Sequence, residues 1–293
     1  MRFTVFTPTY NRAYTIENLY RSLQRQSFVD FEWIVVDDGS TDDTESLFQS
    51  FQQEKNEFPI RYIKTENQGK HRAINRGVSV ARGEMFYIVD SDDYLPDDAL
   101  EVIDKMERTI SPEEKAQFGG VCGQKGYDLE TPIGKSFDEE ILDITSLERQ
   151  KHNVSGDKAE VFYTRILRNY PFPEFEGEKF LTECVVWDKI AYDRYKLRFF
   201  NHILMICEYL PDGLSAKGRA LFEGNPAGWG LYLYQNGLYK KTTGIAKWNS
   251  FLDYFFTTRN TLGFAQIAKN LHMNPIVLWL RLLGMRLFYR LYR

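Results

Sequence analysis

The 293-residue chain is poor in cysteine: Cys122, Cys184 and Cys207 are widely spaced, and no CxxC pair exists. That excludes a disulfide framework and a structural zinc site of the usual spacing, and it fits a reducing compartment. No run of 18 apolar residues occurs, so no membrane span is expected. The opening MRFTVFTPTYNRA turns polar after one short apolar run, unlike a secretory leader. The cytoplasm is therefore the expected location, and the sequon at Asn153–Ser155 is not expected to meet a glycosylation enzyme. Basic residues are not in excess, with 37 Lys and Arg against 41 Asp and Glu and a net charge of −4. A nucleic-acid partner, which normally demands a basic footprint, is not expected. Internal repeats and low-complexity linkers are missing as well. What is present, 43% hydrophobic and 27% charged residues, suits a chain that buries a sizeable core in one large or two small domains.

The first hundred residues alternate between two periods. Apolar runs at Phe3–Phe6, Trp33–Val36, Ile60–Ile63 and Met85–Val89 have the length and β-branched, aromatic character of buried parallel strands. Between them, Ile16, Leu19, Tyr20 and Leu23 keep helical spacing. A second helix is expected after Ser40-Thr41-Asp42-Asp43. A third carries Ala73, Ile74, Gly77, Val78 and Ala81, with Gly83 in the C′ position. Strand–helix repetition of this kind predicts an α/β fold with a parallel sheet flanked by helices. From about 110 to 215 the pattern is less regular, broken by Gly119, Gly120, Gly123 and Gly126 and again by Pro171 and Pro173. A helix is expected over Lys179–Arg194, and 245–293 reads as helices without strands.

In an open parallel sheet, ligands bind beyond the carboxyl ends of the strands. Four polar clusters follow the four expected strands: Thr7–Arg12, Asp37–Ser40, Glu66–Arg72 and Asp90–Asp93. Lys70, His71 and Arg72 occupy the first turn of a helix, where each cation costs about 0.3–1 kcal/mol against the helix dipole. A bound anion would reverse that sign, and Gly69 would let backbone approach it. A solvated polar helix start is the plain alternative. Asp90 and Asp92, two apart at a strand end, point to one side and repel unless a cation intervenes. Oxygen donors of this kind suit Mn2+ or Mg2+ shared with substrate phosphates, whereas Asp97 and Asp98 read as favourable helix-start charges. An anion site beside a cation site suggests a metal-bridged diphosphate.

In this order, the TPTYNRA start, VVDDGSTDDT, ENQGKHRAINRG and FYIVDSDDYLPDDAL resemble the inverting family two glycosyltransferases of GT-A fold. The resemblance is close over residues 1–105, weaker to about 215, and absent beyond. It implies a Rossmann-like, mostly parallel sheet flanked by helices over 1–215. Residues 1–105 would be the nucleotide-sugar half and 106–215 the acceptor-side half, with 216–293 a mainly helical extension. It also implies a nucleotide diphosphate sugar donor, usually a UDP-sugar, and a glycan or lipid-linked saccharide acceptor, as in surface polysaccharide assembly. Pro8, Tyr10 and Asp38 would hold the uracil and ribose, with Lys70 and Arg72 near the base or diphosphate. Asp90 and Ser91 would contact the nucleotide, and Asp92 would ligate Mn2+ or Mg2+, with Asp90 a second candidate.

The family places its base in a Glu-Asp pair at a helix start. No such pair exists here, where Gly177-Glu178-Lys179-Phe180-Leu181-Thr182-Glu183-Cys184 stands. Spacing to Tyr195-Lys196-Leu197 favours Glu183, with Cys184 in the place of the Asp; Glu178 is the alternative. The missing pair keeps open a catalytically inactive sugar-nucleotide-binding subunit. A nucleotidyltransferase fits less well, since Pro8-Thr9-Tyr10-Asn11 is not a glycine-rich loop. Trp187, four residues after Glu183, is read as core ahead of a sugar platform, and His152, His202 and His272 as structural.

Charge is uneven along the chain. After Asp253 there are six basic residues, Arg259, Lys269, Arg281, Arg286, Arg290 and Arg293, and no acidic one. In the final MRLFYRLYR, Arg286, Arg290 and Arg293 fall within about 60° of helical arc, opposite Leu and Phe. That suits a helix lying on the inner face of the cell membrane. Packing on the main domain or on a second copy, as a homo-oligomer, is the alternative reading.

Overall fold

A computed structural model describes residues 1–240 and 245–291. The side chains of Arg286 and Arg290, and the whole of Arg293, lie outside the described residues, and with them the tail face read above. The N-terminal elements run β1 (Phe3–Thr9), α1 (Ile16–Gln24), β2 (Phe31–Asp37), α2 (Thr44–Gln53), β3 (Ile60–Lys64), α3 (Lys70–Val80) and β4 (Met85–Ile88). Then follow β5 (Asp93–Tyr94), α4 (Ala99–Arg108), β6 (Phe118–Gly126), β7 (Ile141–Ile144), β8 (Lys158–Tyr163), α5 (Thr164–Asn169), α6 (Cys184–Tyr192) and β9 (Lys196–Cys207). The C-terminal part is α7 (Leu214–Lys217), α8 (Arg219–Glu223), α9 (Pro226–Tyr239), α10 (Ile245–Thr258), α11 (Phe264–Asn270) and α12 (Pro275–Leu291).

The sheet order is β3-β2-β1-β4-β8-β6-β9-β5, with β7 paired to β9. β3, β2, β1 and β4 are parallel, as their solid apolar runs require: β1 and β2 are buried at every position. The other half is mixed. β8 runs antiparallel to β4 and β6, while β9 is parallel to β6 and antiparallel to β5 and β7.

Three local expectations change. The glycine-broken region is β6, a nine-residue strand. Its glycines admit close neighbours: a Cβ on Gly120 would lie 2.0 Å from the Val161 carbonyl oxygen, and one on Gly123 2.4 Å from the Leu204 side chain. Gly83 is not a helix C′ residue either. α3 is capped by Ala81 in extended backbone, and Gly83 instead passes against β1, where a Cβ would sit 2.2 Å from Thr4 N. The helix expected over Lys179–Arg194 is shorter at both ends: 179–182 has no regular structure, Glu183 is the N-cap, and α6 stops at Tyr192.

The main core joins the sheet to α1–α6. A second apolar cluster of Trp229, Phe251, Tyr254, Ile267, Leu271 and Leu278 holds the C-terminal helices together. Tyr232 of α9 packs against both. Trp187 meets Phe162 in a tilted and Phe172 in an edge-on contact, at centroid separations of 4.5 and 5.6 Å, and so packs against the core.

Candidate active site

The loops after β1, β2, β3 and β4 are hydrogen-bonded into one rim. Asn11, in left-handed backbone (φ 52°), donates its N–H to Ser40 Oγ at 2.8 Å, and its Oδ1 accepts Thr41 N at 2.8 Å. Asp38 N donates to the Thr9 carbonyl, and Thr65 N to the Asp37 carbonyl, both at 2.8 Å. A non-glycine residue held at positive φ by side-chain bonds marks a loop whose shape is enforced.

Asp38 is buried, and both its oxygens are occupied. Oδ1 accepts Gln68 N at 2.7 Å and Oδ2 accepts Gly69 N at 2.8 Å. Burial raises its carboxyl, and those two N–H groups oppose the rise. Asp38 therefore shapes the 66–69 turn that delivers Lys70. Gly69 has φ 102°, and a Cβ there would lie 2.0 Å from the Lys179 carbonyl oxygen, so only glycine fits. This turn lines, with Asp38, Arg72 and Glu174, a cavity of about 350 Å³. Tyr10 stands nearly half exposed on the rim, Pro8 lies in β1 opposite Val36, and Ser91 is buried.

Lys70 is the centre of the site. Its Nζ is 2.8 Å from Asp90 Oδ1, 2.9 Å from Asp90 Oδ2 and 2.8 Å from Glu183 Oε1. Residues from the third loop, the fourth strand end and the start of α6 thus meet at one ammonium. Burial works against that charge, but the two carboxylates outweigh it and raise the Lys70 pKa. Burial would likewise raise Asp90, yet Lys70, with Lys125 behind it, holds the Asp90 carboxyl below its ordinary range. Asp92 lacks such a clamp. Burial, then the neighbouring Asp90 charge, raises its carboxyl, and no described side chain hydrogen-bonds to it or forms an ion pair with it. Among the described residues no three His, Cys, Asp or Glu groups could hold a metal by themselves. A desolvated, unclamped carboxylate beside a second one still fits a divalent ion whose remaining ligands come from a diphosphate.

Two expected site residues make structural contacts away from Lys70. Arg72 turns from Lys70 toward the 174–178 loop. It donates to the carbonyls of Gln68, Phe175 and Glu178, each at 2.6 Å, and lies 3.3 Å from Glu174. Glu178 is buried with both oxygens on the N-terminus of α9, accepting Ala227 N at 2.6 Å and Gly228 N at 2.8 Å. It is a helix cap supplied from a distant segment. Glu183, by contrast, is one-third exposed and reaches Lys70.

Sequence reasoning missed three features of this region. Lys125 on β6 raises its own pKa against burial through Cys207, Asp90 and Asp93; a lone lysine inside a glycine-rich strand was the available signal. Arg12 and Tyr14 bind Asp212, at 2.7 and 2.9 Å, drawing the segment after β9 to the first loop. Tyr127 and Tyr209 form an exposed ring pair, centroids 6.0 Å apart, two residues beyond Lys125 and Cys207 respectively.

His71 is buried with Nδ1 unpartnered among the described residues, and burial, then Arg72, lowers its pKa to about 4. Between its usual value near 6.5 and that depressed value, the unfolded chain takes up a proton that the folded chain does not. Stability should therefore fall as pH drops through this window, by up to about 3 kcal/mol. Urea midpoints measured from pH 7 to 4 check this, with His71→Phe expected to flatten the slope.

Residues 4–109 match the family model described as "Glycosyl transferase family 2". A protein of Campylobacter jejuni described as a GalNAc(5)-diNAcBac-PP-undecaprenol beta-1,3-glucosyltransferase is 31% identical over 192 residues, which is 64% of this chain and 58% of that protein. The chain thus spans little over half of that relative. Among solved structures, S. aureus TarS 1–349 in complex with UDP-GlcNAc is similar at TM-score 0.59 and 20% identity, over 88% of this chain and 81% of the other. A mannosyltransferase from Pyrobaculum calidifontis, in complex with GDP-Man and Mn2+, gives TM-score 0.53 at 21% identity over 100% and 82%. The fold is that of these enzymes, GT-A.

Proposed function

We propose, from the match of residues 4–109 to the model of glycosyl transferase family 2, that this chain is an inverting glycosyltransferase of that family. It takes a sugar from a nucleotide diphosphate donor, a UDP-sugar first, and passes it to a hydroxyl of a glycan or lipid-linked saccharide. The observation that carries the reading is the ion-pair bridge in which Lys70 Nζ lies 2.8 Å from both Asp90 and Glu183. A base candidate and a diphosphate-side carboxylate share one cation. The C. jejuni relative's description names an undecaprenol-linked acceptor, and TarS was solved with UDP-GlcNAc; both support the substrate classes. Residues 1–215 and the helical remainder are proposed as the catalytic domain and its extension, with the work done on the cytoplasmic side.

In this reading Glu183 accepts the proton of the acceptor hydroxyl as its oxygen attacks the anomeric carbon. UDP leaves from the opposite face, so configuration inverts. One carboxylate suffices for a single displacement, and Glu178, committed to capping α9, is not required. Asp92, with Asp90 beside it, would hold Mn2+ or Mg2+, which supplies Lewis-acid charge stabilisation to the departing diphosphate. Lys70 orients Glu183 and keeps Asp90 ionised. Pro8, Tyr10 and the Asp38-shaped turn frame the base and ribose. Tyr127 and Tyr209 offer a face on which an acceptor sugar can stack.

Calorimetry of UDP with and without Mn2+, together with slow hydrolysis of UDP-sugars, tests this reading. The expected result is Mn2+-dependent UDP binding, weakened at least about tenfold in Asp92→Asn, and hydrolysis of one donor. Binding without hydrolysis would favour the inactive binding subunit. Failure to bind UDP in Mn2+ overturns the proposal.

A further inference from the structure

We propose that the outer face of α12, from Ile276 to Leu283, rests in the surface of an anionic lipid bilayer. Ile276 is 67% exposed, Leu280 54% and Leu283 38%, with Trp279 at 53% and Val277 at 42% on either side. At about 100° per residue, Ile276, Leu280 and Leu283 share roughly 60° of arc, and the two flanking residues widen the apolar strip to about 160°. The opposite side is already committed. Leu278 is fully buried and Leu282 packs against the second apolar cluster. The helix therefore shows two apolar faces, one satisfied inside the protein and one turned outward.

Charge selects the occupant. From residue 254 onward the sequence has six basic residues and no acidic one, while the preceding part carries 31 basic against 41 acidic residues. Anionic headgroups complement such a segment. Pairing this face with its own copy would bring two acid-free segments together, which like charge opposes. No described helix is long and apolar enough to cross a membrane, so α12 lies along the surface, Trp279 at the headgroup level. In the sequence the basic residues 286, 290 and 293 follow this face, which places apolar insertion and charge attraction in successive parts of one segment.

The test is flotation of the full chain with phosphatidylcholine vesicles, with and without phosphatidylglycerol, in the absence of any sugar nucleotide. Binding is expected only with phosphatidylglycerol, weakening as salt is raised. The triple change Ile276→Ser, Trp279→Ser, Leu280→Ser should reduce it at least about tenfold, whereas Trp279→Phe should retain it. Circular dichroism and UDP calorimetry on the same samples confirm that the variants are folded and keep this result separate from the transferase reading. Absence of wild-type flotation, equal flotation of the triple variant, or a solution dimer that the triple change dissociates would each overturn the proposal.

Discussion

Glu183→Gln is expected to lower turnover by about 10²–10⁴-fold, the usual contribution of a general base, while UDP affinity stays within about twofold of the wild type. Glutamine keeps an oxygen for Lys70 Nζ, so the bridge to Asp90 survives and only proton acceptance is lost. Single-turnover rates at saturating donor, alongside calorimetry with UDP, provide the measurement. A matching loss in Glu178→Gln with an unchanged melting temperature would move the base there. The structure argues otherwise, because Glu178 accepts two backbone N–H groups at the start of α9 and its substitution should act on stability.

Lys70→Met should be nearly as damaging, by another route. Removing the ammonium leaves Asp90 and Glu183 facing each other with Asp92 close by, and Lys125 alone opposes their repulsion. Unpairing a fully buried charge costs about 3–5 kcal/mol. Both carboxylates here are about one-third exposed, so about 1–3 kcal/mol is the expected loss after solvent screening. The kcat/KM should fall by at least about 100-fold, since a preorganised cation at the reacting centre is lost and the base loses its anchor. Urea denaturation and donor-dependent kinetics check the two effects separately. Retained activity would show that the bridge is not part of the machinery.

The N-terminal half was legible because its physics is local. Strands buried on both faces must be continuous apolar runs, and a strand end in a parallel sheet points at the ligand edge, so Lys70 and Asp90 could be brought together before any coordinates. The 118–207 region was less readable. The glycines of β6 look like breaks in one dimension, but they are required where β8 and β9 cross closely, and sequence spacing does not reveal that approach. The structural contacts of Arg72 and Glu178 were hidden for a related reason. Arg72 faces the 172–183 segment and Glu178 belongs to it, and the path of that segment is set by the Gly69–Lys179 contact and by α9, more than forty residues downstream. Charge and helix position alone could not say that one side chain would be used up on carbonyls and the other on amides.

The capping of α9 by Glu178 bears on how such chains can be recombined. A chimera joined at residue 215 would swap away the amides that Glu178 holds and Asn225, whose side-chain oxygen accepts Lys179 N at 2.8 Å and Phe180 N at 3.0 Å. The recipient would inherit a buried, unanswered carboxylate five residues before Glu183. A seam past Tyr239 would keep this cap but part Trp229 from the α10–α12 residues of its apolar cluster, so the smallest transplantable unit carries the C-terminal helices with it.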